Sequence, residues 1–166
     1  MKTRIIKSKI GVFFLAIFML ASCDSKGVYD EYISLSGNSW NKENTLAFTF
    51  TINDSINKKN LFINLRNNKD YGYSNLFLIT QMDFPDGEAI IDTLEYDMAD
   101  LTGKFLGTGF TDIKENKLYY KENITFPKAG EYTFKVRQAM RKNGEVEGIE
   151  ELEGVTQVGF RIEKIK

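Results

Sequence analysis

Histidine is absent from this sequence of 166 residues, cysteine occurs once and proline twice. Without histidine the chain lacks an imidazole base, a Ser-His dyad and any His-ligated metal site. A single cysteine cannot close an intrachain disulfide, and the sequence contains neither a phosphate-binding glycine loop nor a Gly-x-Ser-x-Gly motif. Lys and Arg number 22 against 23 Asp and Glu, a balance that gives no broad electrostatic basis for nucleic-acid binding. We therefore expect no catalytic residues, metal, cofactor, nucleic acid or small-molecule substrate.

The first segment has the pattern of a secretory signal. Residues 1–9 carry four basic side chains and no acidic ones, and residues 10–21, IGVFFLAIFMLA, form an uncharged apolar run. This run is shorter than the roughly 20 residues that a helix needs to cross a bilayer. A basic head followed by a short apolar stretch is typical of a signal peptide. We expect a signal helix that is detached from the domain after it.

The end of this segment, Leu20-Ala21-Ser22-Cys23, resembles the lipobox at which the bacterial lipoprotein signal peptidase cleaves. The small residues before Cys23 allow an extended backbone to enter a protease groove, and the thiol accepts a diacylglyceryl group as a thioether. Because each buried methylene contributes about 0.8 kcal/mol, two or more acyl chains anchor a protein stably in a membrane. We expect a signal peptide over residues 1–22, lipid attachment at Cys23, a lipidated tether over 23–29 and a single domain over 30–166.

Period-two alternation of apolar and polar side chains runs through most of the chain after the tether. Leu46–Ile52 places its large apolar residues at even positions, and Tyr132–Arg137 and Val158–Glu163 alternate in the same way. With similar runs around residues 29–35, 61–65, 76–79, 90–96 and 118–126, the pattern predicts about eight strands in an all-β, antiparallel sandwich, immunoglobulin-like or similar. The expected core contains Phe48, Phe50, Ile63, Leu78, Phe134 and Phe160.

Other segments lack this alternation. Residues 97–106 and 112–117 each favour one helical turn, and the glutamate-rich residues 141–154 predict a solvated loop between the last two strands. Tyr132 stands in a GEYTF run that resembles the tyrosine corner of immunoglobulin-like sandwiches, which predicts a structural role. The single tryptophan, Trp40, is predicted to be buried between the sheets.

Residues 65–76 collect Arg, Asn and Tyr side chains between two strongly apolar strands. Arg and Tyr are the residue types that carry much of the binding energy in protein interfaces. In the alternative interpretation, this is a turn whose Asn side chains bond their own backbone while the Tyr rings pack at the core edge. The residues leave both interpretations open, and the candidate interaction residues are Arg66, Asn67, Asn68, Tyr71, Tyr73 and Asn75.

Two pairs of carboxylates, Asp92 with Glu95 and Asp97 with Asp100, have the residue type that a glycosidase or a calcium site uses. Nothing in their spacing along a strand or turn shows that they face each other across a cleft, and solvated turn acids are the favoured interpretation. They leave open the alternative that the domain is a carbohydrate-binding or calcium-dependent ligand-binding sandwich.

A set of short motifs runs in order across nearly all of the mature chain: FTFTIND at 48–54, INLRNN at 63–68, YGYSNLFL at 71–78, DTLEY at 92–96, IKEN at 113–116, QAMR at 138–141, GI at 148–149 and VGFRIEK at 158–164. In these motifs the sequence resembles the gliding-motility lipoprotein GldH family of Bacteroidota. Residues 150–157 depart from the family pattern, because the link from Gly148-Ile149 to the last strand is longer than usual. The resemblance carries over only the acylated cysteine, onto Cys23, since the family has no established catalytic residues.

The resemblance implies a cell-envelope lipoprotein needed for gliding and linked to type IX secretion, with other gliding or secretion proteins as its partners. Asp24 after Cys23 retains lipoproteins in the inner membrane of enterobacteria, a rule that Bacteroidota sorting does not clearly follow. We expect the protein to be anchored in a membrane and to face the periplasm, with the outer membrane favoured over the inner.

Overall fold

The computed structural model describes residues 26–165, and within this range it contains ten β-strands, a 3-10 turn at Ser36–Asn38 and no α-helix. The predicted signal segment and Cys23 lie outside the described residues. The strands are β1 (Gly27–Ser34), β2 (Ser39–Asn41), β3 (Leu46–Ile52), β4 (Lys59–Asn67), β5 (Asn75–Asp83), β6 (Ala89–Asp97), β7 (Lys114–Ile124), β8 (Gly130–Gln138), β9 (Glu151–Glu153) and β10 (Val155–Lys164).

The strands form two four-stranded sheets and a two-stranded ribbon. One sheet has the order β1-β10-β4-β7, the other has the order β3-β8-β5-β6, and β2 pairs with β9. All of these pairings are antiparallel. The prediction of an all-β antiparallel sandwich is confirmed, and its eight predicted strands correspond to the eight longer strands.

Aromatic side chains from both sheets fill the space between them. In β3 the even-numbered residues are buried and the odd-numbered residues are exposed, as the alternation predicts. Phe134 of β8 stacks on Phe160 of β10 with ring centroids 4.1 Å apart, which joins the two sheets at the centre. Phe48 lies 6.4 Å from Phe134 and 6.2 Å from Phe160. All six residues predicted for the core are at most 5% exposed.

Two expectations about the segments between strands differ from the structure. The helical turns predicted for 97–106 and 112–117 are wrong, because residues 98–106 form hydrogen-bonded turns and an isolated bridge after β6, and residues 114–117 are the start of β7. The loop predicted for 141–154 contains β9, whose Leu152 is completely buried. Strand β1 begins at Gly27, which pairs with Glu163.

The two ends of the sandwich are distinct. One end, which we call the Ile56 end, carries the turns at residues 53–58, 84–88 and 125–129, the start of β1 and the end of β10. The opposite end, which we call the Tyr73 end, carries the connections at residues 68–74, 98–113 and 139–150. The candidate interaction residues lie at the Tyr73 end.

Candidate protein interaction site

Arg66 is held on the outer face of its sheet. In β4 the odd positions Leu61, Ile63 and Leu65 enter the core, so Arg66 points outward. Its guanidinium donates to the Glu115 carboxylate at 3.2 Å and to Gln157 Oε1 at 2.7 Å, and it lies 4.4 Å from the centre of the Tyr32 ring. Tyr32 in turn donates to Glu115 at 2.6 Å. Burial and this bond to a carboxylate raise the pKa of the Tyr32 phenol.

Asn67 and Tyr71 belong to the interior. Asn116 Nδ2 donates to Asn67 Oδ1 at 2.8 Å, and both residues are buried. Tyr71 is 2% exposed and donates its hydroxyl to the Asn75 carbonyl at 2.7 Å. Burial raises the pKa of the Tyr71 phenol. These two side chains hold the connection between β4 and β5 in place.

Asn68 shapes the turn that follows. Its Oδ1 accepts from the Asp70 backbone N–H at 2.9 Å, and its Nδ2 donates to the Asp70 carboxylate at 3.1 Å. This is an Asx-type turn, in which an asparagine side chain replaces a backbone partner. The turn directs the chain from buried Asn67 out to the surface.

Tyr73 forms the ridge between two neighbouring clefts at this end. One cleft, of about 550 Å³, lies between Asp70 and the 142–153 segment. The other, of about 760 Å³, is lined by Asn75, Phe77 and the 140–143 segment. The half-buried Tyr73 ring lies edge-on to the Tyr71 ring, with centroids 6.0 Å apart. Of the six candidate residues, Tyr73 and Asn75 line these clefts, while Arg66 faces a different surface.

A further exposed feature of the Tyr73 end is the 98–113 connection, which sequence reasoning missed. Three of its large apolar side chains, Leu101, Leu106 and Phe110, are more than half exposed. The connection is nevertheless fastened to the sandwich, because Met98 N–H donates to the Ser74 carbonyl at 2.7 Å and Leu106 N–H donates to the Met98 carbonyl at 2.9 Å. The signal in the sequence was the presence of these apolar residues in a stretch rich in glycine.

Trp40 and Tyr132 are both buried. Trp40 is fully enclosed, and its Nε1–H donates to the Asn44 carbonyl at 2.9 Å. Tyr132 donates its hydroxyl to the Lys128 carbonyl at 2.8 Å, four residues upstream, and stacks on Phe50 at 5.8 Å. Burial raises the pKa of the Tyr132 phenol against the opposing effect of the Lys128 backbone N–H, which donates to the hydroxyl oxygen at 3.4 Å. Neither side chain lines the clefts beside Tyr73.

The carboxylate pairs have separate partners. Asp92 accepts from Lys121 and from the Tyr120 hydroxyl, each at 2.9 Å, and Glu95 accepts from Asn75 Nδ2 at 3.1 Å. Burial favours a higher pKa for Asp92, but the bonds from Lys121 and Tyr120 outweigh it and lower the pKa. Asp100 bonds the backbone of its own turn. Within residues 26–165, no group of three or more acidic or cysteine side chains has a metal-binding arrangement.

The membrane attachment site predicted at Cys23 lies outside the described residues. No helix in the described range 26–165 is long and apolar enough to span a bilayer. The structure therefore leaves Cys23 as a prediction from the sequence.

The family model and two relatives that match this chain agree with one another. The family model described as GldH lipoprotein matches residues 27–162. The "Gliding motility lipoprotein GldH homolog" of Christiangramia forsetii is 55% identical over 153 residues, 92% of this chain and 93% of that protein. The "Gliding motility lipoprotein GldH" of Flavobacterium johnsoniae is 49% identical over 154 residues, 93% of this chain and 95% of that protein. Among solved structures, VP2 of the infectious bursal disease virus subviral particle aligns with a TM-score of 0.38 and 15% identity, covering 86% of this chain and 34% of that chain.

Proposed function

This chain belongs to the GldH lipoprotein family, and we propose from that premise that it is a lipid-anchored envelope protein of the gliding machinery that acts by binding another protein. It is not an enzyme in this proposal. It faces the periplasm, on the outer membrane in preference to the inner, and its partner belongs to the gliding and type IX secretion apparatus. The family match and the names of both relatives support the motility role.

Anchoring is assigned to Cys23, because it is the only cysteine of the chain and it ends the lipobox. Replacing Cys23→Ser removes the thiol that accepts the diacylglyceryl group. We expect the variant to lose incorporation of a labelled fatty acid and to leave the detergent phase in phase separation. Unchanged partitioning with unchanged labelling would overturn the anchoring proposal.

Binding is assigned to the Tyr73 end, and the position of Tyr73 between two clefts carries this assignment. A tyrosine presents a large apolar ring with a polar tip, which suits a contact that becomes desolvated in an interface. The ring rests on the buried Tyr71, so little side-chain entropy is lost when a partner covers it. Tethering to a membrane also raises the effective concentration of this surface towards other envelope proteins.

The test uses Tyr73→Ala with Tyr119→Ala as the matched control. Tyr119 is 52% exposed on β7 and does not line either cleft. Its variant therefore removes the same side chain outside the proposed interface. We expect Tyr73→Ala to lose crosslinked partners, colony spreading and secretion of a type IX substrate, with its melting temperature close to that of the control. Full partner recovery would remove Tyr73 from the interface, and an unfolded Tyr73→Ala protein would assign the ring to the core instead.

The same crosslinking experiment distinguishes protein docking from the alternative, a carbohydrate-binding or calcium-dependent sandwich. Crosslinked partners that disappear on calcium chelation, or competition by surface polysaccharide, would favour that alternative. Partner recovery that is insensitive to both supports protein docking.

A further inference from the structure

The position of Cys23 determines which end of the sandwich is close to the membrane. Strand β1 begins at Gly27, four residues after Cys23, and an extended link of that length spans at most about 14 Å. Gly27 pairs with Glu163, and Lys164 pairs with Lys59, so the chain enters the domain at the Ile56 end. This step rests on the anchoring proposed above. The nine residues of β4 place the Tyr73 end about 30 Å farther away.

At this end the 53–58 turn presents an isoleucine. The Asp54 carboxylate accepts from the backbone N–H groups of Ile56 at 3.1 Å and of Asn57 at 3.0 Å. The Lys59 ammonium, whose side chain is 2% exposed, donates to the Asp54 carbonyl at 2.7 Å and to the Asn57 carbonyl at 2.9 Å. The polar groups of the turn thus bind one another, and the Ile56 side chain is left 84% exposed at its tip. A turn braced in this way holds an apolar side chain in a fixed outward position.

Exposed lysines lie in this turn and at the strand end next to it. Lys58 is in the turn itself, and Lys164 at the end of β10 pairs with Lys59, the residue that follows Lys58. The acidic side chains of the turn and of the end of β10 are already paired, Asp54 with Lys59 and Glu163 with Lys117. An apolar tip among lysines matches the chemistry of an anionic bilayer surface, where apolar groups enter the headgroup layer and ammonium groups meet phosphates.

The other half of the Ile56 end has the opposite charge. Glu88 and Glu131 are exposed near the ends of β6 and β8, and Lys128 there is paired with Asp86. An anionic surface attracts the lysine corner and repels this half. The charge pattern therefore favours contact through the corner formed by β1, β4 and β10.

We propose that the corner formed by Ile56, Lys58 and Lys164 rests on an anionic phospholipid surface, with the Ile56 side chain in the headgroup layer. This contact adds to the acyl anchor and fixes the orientation of the domain. It holds the Tyr73 end away from the bilayer, where it faces proteins.

The test uses the full lipidated protein reconstituted in vesicles of phosphatidylethanolamine and phosphatidylglycerol. Acylation consumes the thiol of Cys23, so a cysteine introduced by Ile56→Cys is the only thiol available for an environment-sensitive fluorophore. Phe110→Cys is the matched control, since Phe110 is a fully exposed apolar residue at the opposite end. We expect nitroxides on the lipid headgroups to quench the label at residue 56 several-fold more than the label at residue 110.

Charge reversal with Lys58→Glu and Lys164→Glu should reduce this quenching, and Lys142→Glu at the Tyr73 end should leave it unchanged. Equal quenching at residues 56 and 110 in acylated protein overturns this inference and leaves the anchoring proposal standing. An N-terminal peptide without acyl chains by mass spectrometry overturns both. Quenching at residue 56 that resists charge reversal overturns the assignment of the lysines.

Discussion

At the scale of single residues, Gly154 shows how one backbone position holds the candidate site. It adopts φ +84°, and a Cβ there would lie 2.1 Å from the Tyr71 amide nitrogen. Its carbonyl accepts from the Asn68 N–H at 2.9 Å, and its own N–H donates to the Asn38 carbonyl at 2.8 Å. The turn that leads to Tyr73 is therefore fastened to the start of β10 through a residue that has no room for a side chain.

Gly154→Ala should destabilise the protein far more than Gly87→Ala. Both glycines have a left-handed φ, but nothing lies within 4 Å of a Cβ at Gly87. A left-handed alanine costs about 1–2 kcal/mol, and overpacking adds about 1–3 kcal/mol at Gly154 only. Urea unfolding followed by the fluorescence of the buried Trp40 measures both variants. Equal losses would show that the contact with Tyr71 relaxes without cost.

At the scale of elements, strand length explains which strands could be predicted. The eight strands of seven or more residues are each long enough to repeat the apolar alternation several times, and this pattern is visible without a structure. Strands β2 and β9 have three residues each. Glu151-Leu152-Glu153 alternates as well, but one apolar residue among five nearby glutamates resembles a solvated loop. The pairing of Leu152 with Trp40, more than one hundred positions earlier, makes it a strand.

Leu152→Ala should therefore lower the free energy of unfolding by about 2–5 kcal/mol, as expected for a large-to-small change at a fully buried site. Val146→Ala is the matched control, because Val146 lies in the same segment and is 86% exposed. We expect the control to change stability by less than about 0.5 kcal/mol. Similar small losses in both variants, measured by urea unfolding, would mean that the β2–β9 ribbon adds nothing to the fold.

The candidate site was harder to predict from the sequence than the strands. Arg66 and Tyr73 are seven positions apart, yet Arg66 faces outward from β4 and Tyr73 lies at the end of the sandwich. The partners of Arg66 are Glu115 and Gln157, which are 49 and 91 residues away in sequence. A local pattern identifies residue types suited to binding. It does not give the long-range contacts that decide which of them remain accessible.

At the scale of the whole molecule, the ionisable side chains make the stability of the fold depend on pH at both the acidic and the alkaline end. Hydrogen bonds and ion pairs lower the pKa of several carboxyls, against the opposing effect of burial at Asp92 and Glu163: Asp54, Asp83, Asp86, Asp92, Asp100, Glu151 and Glu163. Burial, in several cases aided by a nearby carboxylate, raises the pKa of six of the eight tyrosines: Tyr29, Tyr32, Tyr71, Tyr96, Tyr120 and Tyr132.

These shifts predict a broad plateau of stability. A carboxyl with a lowered pKa stabilises the fold above its unfolded value of about 4, and this contribution disappears as the pH falls through the folded pKa. A tyrosine with a raised pKa stabilises the fold below its unfolded value of about 10, and this contribution disappears as the pH rises through the folded pKa. For Tyr96, burial and the charge of Asp92 place the folded pKa at about 12.

The melting temperature should therefore stay nearly constant between about pH 5 and pH 9, because the chain has no histidine to titrate in that interval. It should fall on both sides of that interval, and at alkaline pH the phenolate absorbance should rise together with the loss of native Trp40 fluorescence. Melting curves recorded at a series of pH values and fixed ionic strength measure the fall of the melting temperature at both ends. Absorbance and fluorescence are recorded on the same samples. Six phenols that ionise near pH 10 while Trp40 fluorescence stays native would contradict the burial of the tyrosines. A melting temperature that rises on acidification would contradict the carboxyl pairings, since protonation would then favour the folded state.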